Sequence, residues 1–212
     1  MTRTESVLIP VHGAELEGEL RMPEGARAVA VFAHGAGSDR KSPRNGLTAD
    51  ALNREGVATL LFDLLTPEEK QEYRENVFDI DRLSLRLIAA ARWVMAQPST
   101  KGMKIGFVGA STGAAAALNA AATLGGDMAF VVSRGGRPDL ADQDRIKDVQ
   151  APTTFIIGGN DLEVIEASRA PFERLSCEKT FELVAGATHV FEEPGALEKA
   201  VDLTVGWVVS HI

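Results

Sequence analysis

Short β-branched runs alternate with longer segments of helical period along this chain, and that alternation admits few architectures. It is the pattern of β/α units laid into a mostly parallel sheet. The runs are Val7 to Val11, Leu16 to Met22, Ala28 to Ala33, Ala58 to Phe62, Lys104 to Val108, Ala129 to Val132, Thr153 to Ile157 and Thr180 to Val184. Several are apolar on both faces, as suits strands covered by helices on both sides. The first two, joined across His12-Gly13, read as an antiparallel hairpin at one sheet edge. Between the runs, Ile80, Leu83, Leu87, Ile88, Ala91, Val94 and Met95 form one helical stripe, expected to open at Asn76 with Asp79 three residues on and to close before Pro98. A last helix is expected from near Pro194, with Leu197, Ala200, Val201, Thr204 and Val208 on one face. No linker or repeat interrupts the series, so residues 1–212 are expected to form a single α/β domain. Its sheet should be open and twisted, of about eight strands with helices on both faces, and its ligand crevice should lie at the carboxyl ends of the parallel strands.

Composition narrows the function classes. The 212 residues are 45% hydrophobic and 25% charged, which excludes a disordered chain. Lys plus Arg is 22 against 30 for Asp plus Glu, a net charge of −8 that repels a long polyanion, so no nucleic-acid partner is expected. Cys177 is the only cysteine, which rules out an intrachain disulfide and a Cys-rich zinc site. It reads as an inert structural thiol, and a reducing, cytoplasmic location is expected. The amino terminus has no signal-like apolar core and no run approaches the ~18 residues of a membrane span, so membrane insertion is not expected. The histidines and acids show no ligand spacing such as H-x-x-x-H; no metal and no cofactor are expected.

The strongest local signal is Gly109-Ala110-Ser111-Thr112-Gly113, a G-x-S-x-G between the apolar run ending at Val108 and an alanine-rich helix. The string alone is weak, and Ser111 also reads as an ordinary helix N-cap. Its placement gives it weight. A serine on so tight a strand-to-helix turn projects its hydroxyl into the crevice, and the first amides of the helix point the same way. A serine hydroxyl needs a base, and the base needs an orienting acid. Of four histidines, His12 lies in the edge hairpin, His211 is penultimate and His34 precedes a glycine turn; His189 follows the last strand and opens at the carboxyl edge. Asp161, after Gly158-Gly159-Asn160, is the expected acid, with capping of the next helix as its competing role. The chain order Ser111, Asp161, His189 is that of one of the three common triad arrangements. Phe32-Ala33-His34-Gly35-Ala36-Gly37 supplies a glycine turn near the same edge, so the Ala36 and Thr112 amides are the expected oxyanion donors.

Taken together, His34-Gly35, the Ser111 pentapeptide, Gly159-Asn160-Asp161 and Gly186-Ala187-Thr188-His189 resemble the α/β-hydrolase superfamily across essentially the whole chain. The short length, together with Ser133 to Asp139 and Phe191 to Gly195, is similar to its small, lidless, dienelactone-hydrolase-like branch. Some relatives of that kind are fused to a phosphoribosyltransferase domain, which is not expected within these residues. Dienelactone hydrolases proper use a cysteine nucleophile where this chain has Ser111, so the resemblance implies hydrolase chemistry and leaves the substrate open.

The expected activity is that of a serine carboxylesterase working through an acyl-enzyme on a small-molecule ester. An acyltransferase on the same residues, or a catalytically silent binding module, are the competing readings. Ser133 to Pro152 is too short for a helical cap and aromatics are 6% of the chain, which favours short or medium acyl groups. His34, Gly35, Arg134 and Arg137 are candidate substrate contacts, His34 also reading as a support of the oxyanion turn. Lys41, Arg44, Arg134 and Arg137 all leave strand carboxyl ends, where a substrate carboxylate or phosphate can be paired. Asp63 reads as a loop-stabilising or substrate-contacting acid, and Glu68 to Glu72 as a solvated helical face.

Overall fold

Among the described residues eight strands, all in one sheet, lie where the apolar runs place them: β1 (Thr2–Val11), β2 (Ala14–Pro23), β3 (Ala28–Ala33), β4 (Val57–Phe62), β5 (Lys104–Ala110), β6 (Met128–Arg134), β7 (Thr153–Gly158) and β8 (Lys179–Val184). The computed structural model describes residues 1–72 and 74–212, and the side chains of residues 72 and 74 lie outside what it describes. The helices are α1 (Pro43–Arg54), α2 (Pro67–Glu72), α3 (Ile80–Ala96), α4 (Thr112–Leu124), α5 (Leu162–Arg174) and α6 (Ala196–Ser210). The strand order is β1-β2-β4-β3-β5-β6-β7-β8. β1 pairs antiparallel with β2, and β2 antiparallel with β4; all remaining pairs are parallel. This is the α/β-hydrolase fold. The stretch from β6 to β7 carries only two short 3-10 turns, Pro138–Leu140 and Ile146–Asp148, so no cap domain rises there.

Every residue of β3, β4 and β7 is buried, because helices cover both faces of the sheet. One apolar cluster joins the sheet to α3, α4 and α5 through residues such as Leu87, Leu118 and Val164. The other joins it to α1 and α6 through Leu52, Ala200 and Val208. Six alanines of α4, Ala114 to Ala117 with Ala120 and Ala121, are fully buried, so this helix lies close against β5. Two helix starts differ from expectation. Asp79 caps α3, its carboxylate accepting from the Arg82 amide, while Asn76 sits in the preceding turn and donates to Glu69 O. α6 begins at Ala196, because Gly195 stands in the left-handed region at φ 79°.

The chain winds one way from β3 to β4, then crosses β3 to reach β5 and winds the other way to β8. The loops leaving β3 and β5 therefore part in opposite directions, and the crevice opens between their carboxyl ends. Among the described residues, no helix is long and apolar enough to cross a membrane.

Candidate active site

Ser111 sits at the junction of β5 and α4 with φ 50° and ψ −124°, a conformation costly for a residue bearing Cβ. The turn is braced from the next strand over: the Ser111 amide donates to Gly135 O, and the Arg137 amide donates to Ser111 O. The side chain makes no capping bond, which sets aside the ordinary N-cap role. Gly35 enforces the approach of the β3 loop, since a Cβ there would lie 2.8 Å from Ser111 Cβ. Gly113 does the same for α4, since its Cβ would lie 2.1 Å from the Ala33 carbonyl oxygen. Among the described residues the only other non-glycine at positive φ is Phe191, at 58°, two positions past His189. Backbone strain is thus confined to the two loops that face each other across the crevice.

His189 and Asp161 meet across 28 residues of sequence: His189 Nδ1 donates to Asp161 Oδ2 at 2.7 Å. The acid is shielded, at 11% side-chain exposure, whereas the imidazole is open at 40%. A carboxylate at Nδ1 fixes the neutral tautomer whose free acceptor is Nε2. Asp161 also caps α5, its Oδ1 accepting from the Val164 amide at 3.4 Å, so the two expected roles belong to two oxygens of one residue. Their loops are tied together. The Asn160 amide donates to Ala187 O and Asn160 Nδ2 to Gly186 O. Glu193 accepts from both the amide and the hydroxyl of Thr188, and these bonds hold its carboxyl below the usual range.

Ser111, His189, Gly35, Ala36, Arg44 and Arg134 line one cavity of about 160 Å³. No hydrogen bond joins Ser111 Oγ to His189 within it; in ligand-free sites such bonds commonly tighten only when substrate arrives. The expected oxyanion donors are unequal. The Ala36 amide donates to Thr112 Oγ1 at 3.0 Å, so it is engaged by the very residue whose own amide is the second expected donor.

Three expectations about substrate contacts change. His34 is buried, donates from Nδ1 to Gly35 O and accepts at Nε2 from the Leu64 amide, so it braces the β3 turn and does not reach the Ser111 cavity. Burial holds its pKa below 6.5, the opposing pull of the Gly35 bond notwithstanding. Arg137 turns to Asp139 in a two-point ion pair and supports the elbow only through its backbone. Lys41 belongs to a separate groove beside β1 and β2. Asp63 proves to be a loop acid: burial raises its pKa, but the Arg40 amide, Lys70 and the Arg40 guanidinium outweigh that and hold it low. The acidic run at Glu68 is not wholly solvated, because Glu69 takes both terminal nitrogens of Arg86; residue 72 lies outside the described side chains. Cys177 is half-buried, and burial raises its thiol pKa.

Sequence reading missed Asn160 and Glu193 as braces of the two loops, and Asn45 and Thr48 as partners of Arg134. Asn160 stands beside Asp161 in a Gly-Gly-Asn-Asp turn, a signal that was visible. The α1 pair carried none, because its partner is more than 80 positions away.

A mostly parallel sheet with a strained serine between strand and helix, and a hydrogen-bonded acid and histidine on later strand ends, places the chain among the lidless α/β-hydrolase folds. A sequence model of the dienelactone hydrolase family matches residues 16–203, and the chain belongs to that family. The crystal structure of dienelactone hydrolase from Anabaena variabilis ATCC 29413 superposes with a TM-score of 0.96 at 43% identity, covering 100% of this chain and 99% of that one. A curated protein of Mycobacterium tuberculosis (strain ATCC 25618 / H37Rv), provisionally named a phosphoribosyl transferase, is 47% identical over 210 residues. Those residues are 99% of this chain and 47% of that protein, so this chain spans about half its length. A lidless α/β serine hydrolase of Xanthomonas campestris shares the fold, with TM-score 0.75 at 21% identity over 98% of this chain and 92% of that one.

Proposed function

We propose that this chain is a serine carboxylesterase acting on small esters, with Ser111 as nucleophile, His189 as base and Asp161 as the acid that orients it. The observation that carries the reading is the Asp161–His189 hydrogen bond, which leaves Nε2 as the open acceptor in the same cavity as the strained Ser111 hydroxyl. His189 Nε2 takes the Ser111 proton as Oγ adds to the ester carbonyl. The carbonyl oxygen becomes an oxyanion held by the Thr112 amide and by the Ala36 amide, the latter after Thr112 Oγ1 gives it up. Collapse expels the alcohol, which leaves with the proton from His189. Water then adds to the acyl-enzyme with His189 again as base, releasing the acid and restoring Ser111 Oγ–H. The small cavity and the absence of a cap domain favour short acyl groups.

The test uses short-chain aryl esters and a fluorophosphonate. Wild type should turn over the ester and be labelled at Ser111, with Ser111→Ala and His189→Ala each losing at least a thousandfold in turnover. Unchanged turnover in either variant overturns the assignment. Absence of both labelling and turnover in wild type indicates a binding module, and transfer of the acyl group to a competing alcohol in preference to water indicates an acyltransferase.

A further inference from the structure

The two expected oxyanion donors stand in different conditions. α4 begins at Thr112, so the Thr112 amide has no acceptor within the helix. The Ala36 amide is already bonded, to Thr112 Oγ1 at 3.0 Å across 76 positions of sequence. Thr112 is buried, at 2% exposure, and lines a mainly apolar cavity of about 10 Å³ with Leu64, Leu65, Val77 and Leu83. Among the described residues no protein acceptor takes its hydroxyl proton, and its oxygen bonds to the Ala36 amide alone. A buried hydroxyl half-spent among leucines is costly where a valine of the same shape would bury no polar atom.

The bond to Thr112 is not what orients the Ala36 peptide. Gly35 O, at the other end of the same peptide unit, accepts from the Ser38 amide at 3.2 Å and from His34 Nδ1 at 3.1 Å. His34 is fixed in turn, because its Nε2 accepts from the Leu64 amide. Gly35 and Ala36 also form the partition between two cavities, with Ser111 on one side and the Thr112 side chain on the other. A Cβ on Gly35 would lie 2.8 Å from Ser111 Cβ, so this peptide runs directly beside the nucleophile. The Ala36 N–H thus has a resident acceptor on the far side of a wall whose near side faces the reacting serine.

We propose that the Thr112 hydroxyl is a positioning residue that withholds the Ala36 amide from the bound ester and yields it only to the oxyanion. The inference rests on the esterase reading. Thr112 Oγ1 and an ester carbonyl oxygen are both neutral acceptors, so the substrate gains nothing by displacing the hydroxyl. A tetrahedral oxyanion accepts a charge-assisted bond of roughly twice the strength and takes the amide over. The hydroxyl therefore weakens the Michaelis complex and leaves the climb from it to the transition state little changed.

Thr112→Val removes the acceptor and keeps the shape, and the leucines around it receive the added methyl. Stopped-flow acylation by p-nitrophenyl acetate gives the dissociation constant of the Michaelis complex and the acylation rate separately. With the amide free to meet the ester carbonyl, that dissociation constant should fall about three- to tenfold, the worth of one net hydrogen bond. The second-order acylation constant should rise by the same factor, with the acylation rate carrying none of the gain. A trifluoromethyl ketone, which adds to Ser111 as a tetrahedral oxyanion, should bind more tightly to the same degree. A merely structural hydroxyl predicts the reverse, a slower acylation with substrate binding unchanged or weakened as the loop loosens. Unchanged or weaker substrate binding in Thr112→Val overturns the proposal.

Amide hydrogen exchange followed by NMR reads the bond without any substrate. Ala36 should exchange about tenfold or more faster in Thr112→Val than in wild type, whereas Thr112→Ser, which keeps the acceptor, should retain the slow exchange. Equal exchange in wild type and Thr112→Val overturns the proposal. If Thr112→Val does not fold, Thr112→Ala takes its place with the same expected shifts in binding and exchange. Hydrolysis by wild type with no tightening in the variant leaves the esterase standing and removes this role for Thr112. Slow Ala36 exchange in a wild type that hydrolyses no ester removes the esterase and reduces the contact to a loop brace, which overturns the proposal as well.

Discussion

Replacing Asp161 by serine separates two roles that one carboxylate now fills. Oδ1 caps α5 at the Val164 amide, and Oδ2 accepts the hydrogen bond from His189 Nδ1 at 2.7 Å. Serine is as good an N-cap as aspartate, but its short hydroxyl does not reach the imidazole. What α5 loses is the negative charge at its amino end, worth about 0.3–1 kcal/mol. In a protein of this size that lowers the melting temperature by at most about 4 °C. What His189 loses is the partner that fixes its tautomer and the orientation of its ring. By analogy with other triads, turnover should fall by ~10⁴, equivalent to ~5.5 kcal/mol of barrier. Asp161→Ala removes the cap as well and should melt lower than the serine variant by about a further 1 kcal/mol, with turnover equally low. Thermal melts beside short-chain ester turnover read both quantities. A serine variant that keeps more than a tenth of wild-type turnover refutes the catalytic role. Serine and alanine variants that melt together refute the capping role.

Other consequences concern the frame around the site. His34→Ala leaves the buried Leu64 amide without its acceptor and should cost about 1–3 kcal/mol at pH 7.5. The folded pKa of His34 is depressed, so the unfolded chain takes up its proton first as pH falls; the stabilisation is full above about 6.5 and declines below it. The gap in melting temperature between wild type and His34→Ala should therefore narrow between pH 7.5 and 5, and a constant gap contradicts this. Gly113→Ala sets a methyl 2.1 Å from the Ala33 carbonyl oxygen, backbone against backbone, and should cost at least ~3 kcal/mol with loss of turnover as α4 is pushed from the β3 loop; melting unchanged from wild type contradicts it. Gly206→Ala, mid-helix in α6 with nothing within 4 Å of the added Cβ, should instead stabilise by about 0.5–1 kcal/mol in chemical denaturation, and a destabilised variant contradicts it.

Much of this was legible along the chain because it is locally encoded. Apolar runs of strand length located the eight strands among the described residues, and the glycines flanking Ser111, set between an apolar run and an alanine-rich helix, marked the strand-to-helix turn. The order Ser111, Asp161, His189 pointed to residues on the same sheet edge, and Asp161 and His189 do meet there. Asn76 misled because it satisfies the local capping pattern; Asp79, three residues later, takes the cap itself.

By itself, then, the sequence determined the elements, the elbow and the candidates for its chemistry, since hydrophobic period and turn preference act over a few neighbouring residues. Only the tertiary structure decided that β4 lies between β2 and β3, that His34 is spent on a loop amide, and that Ala36 donates to a hydroxyl 76 positions away. It also decided that Arg134 is held by residues 86 and 89 positions away and, among the described residues, forms no ion pair with an acid. Those facts depend on which surfaces meet when distant segments pack, and charge or hydrogen-bond balance at a buried atom is a property of the completed environment.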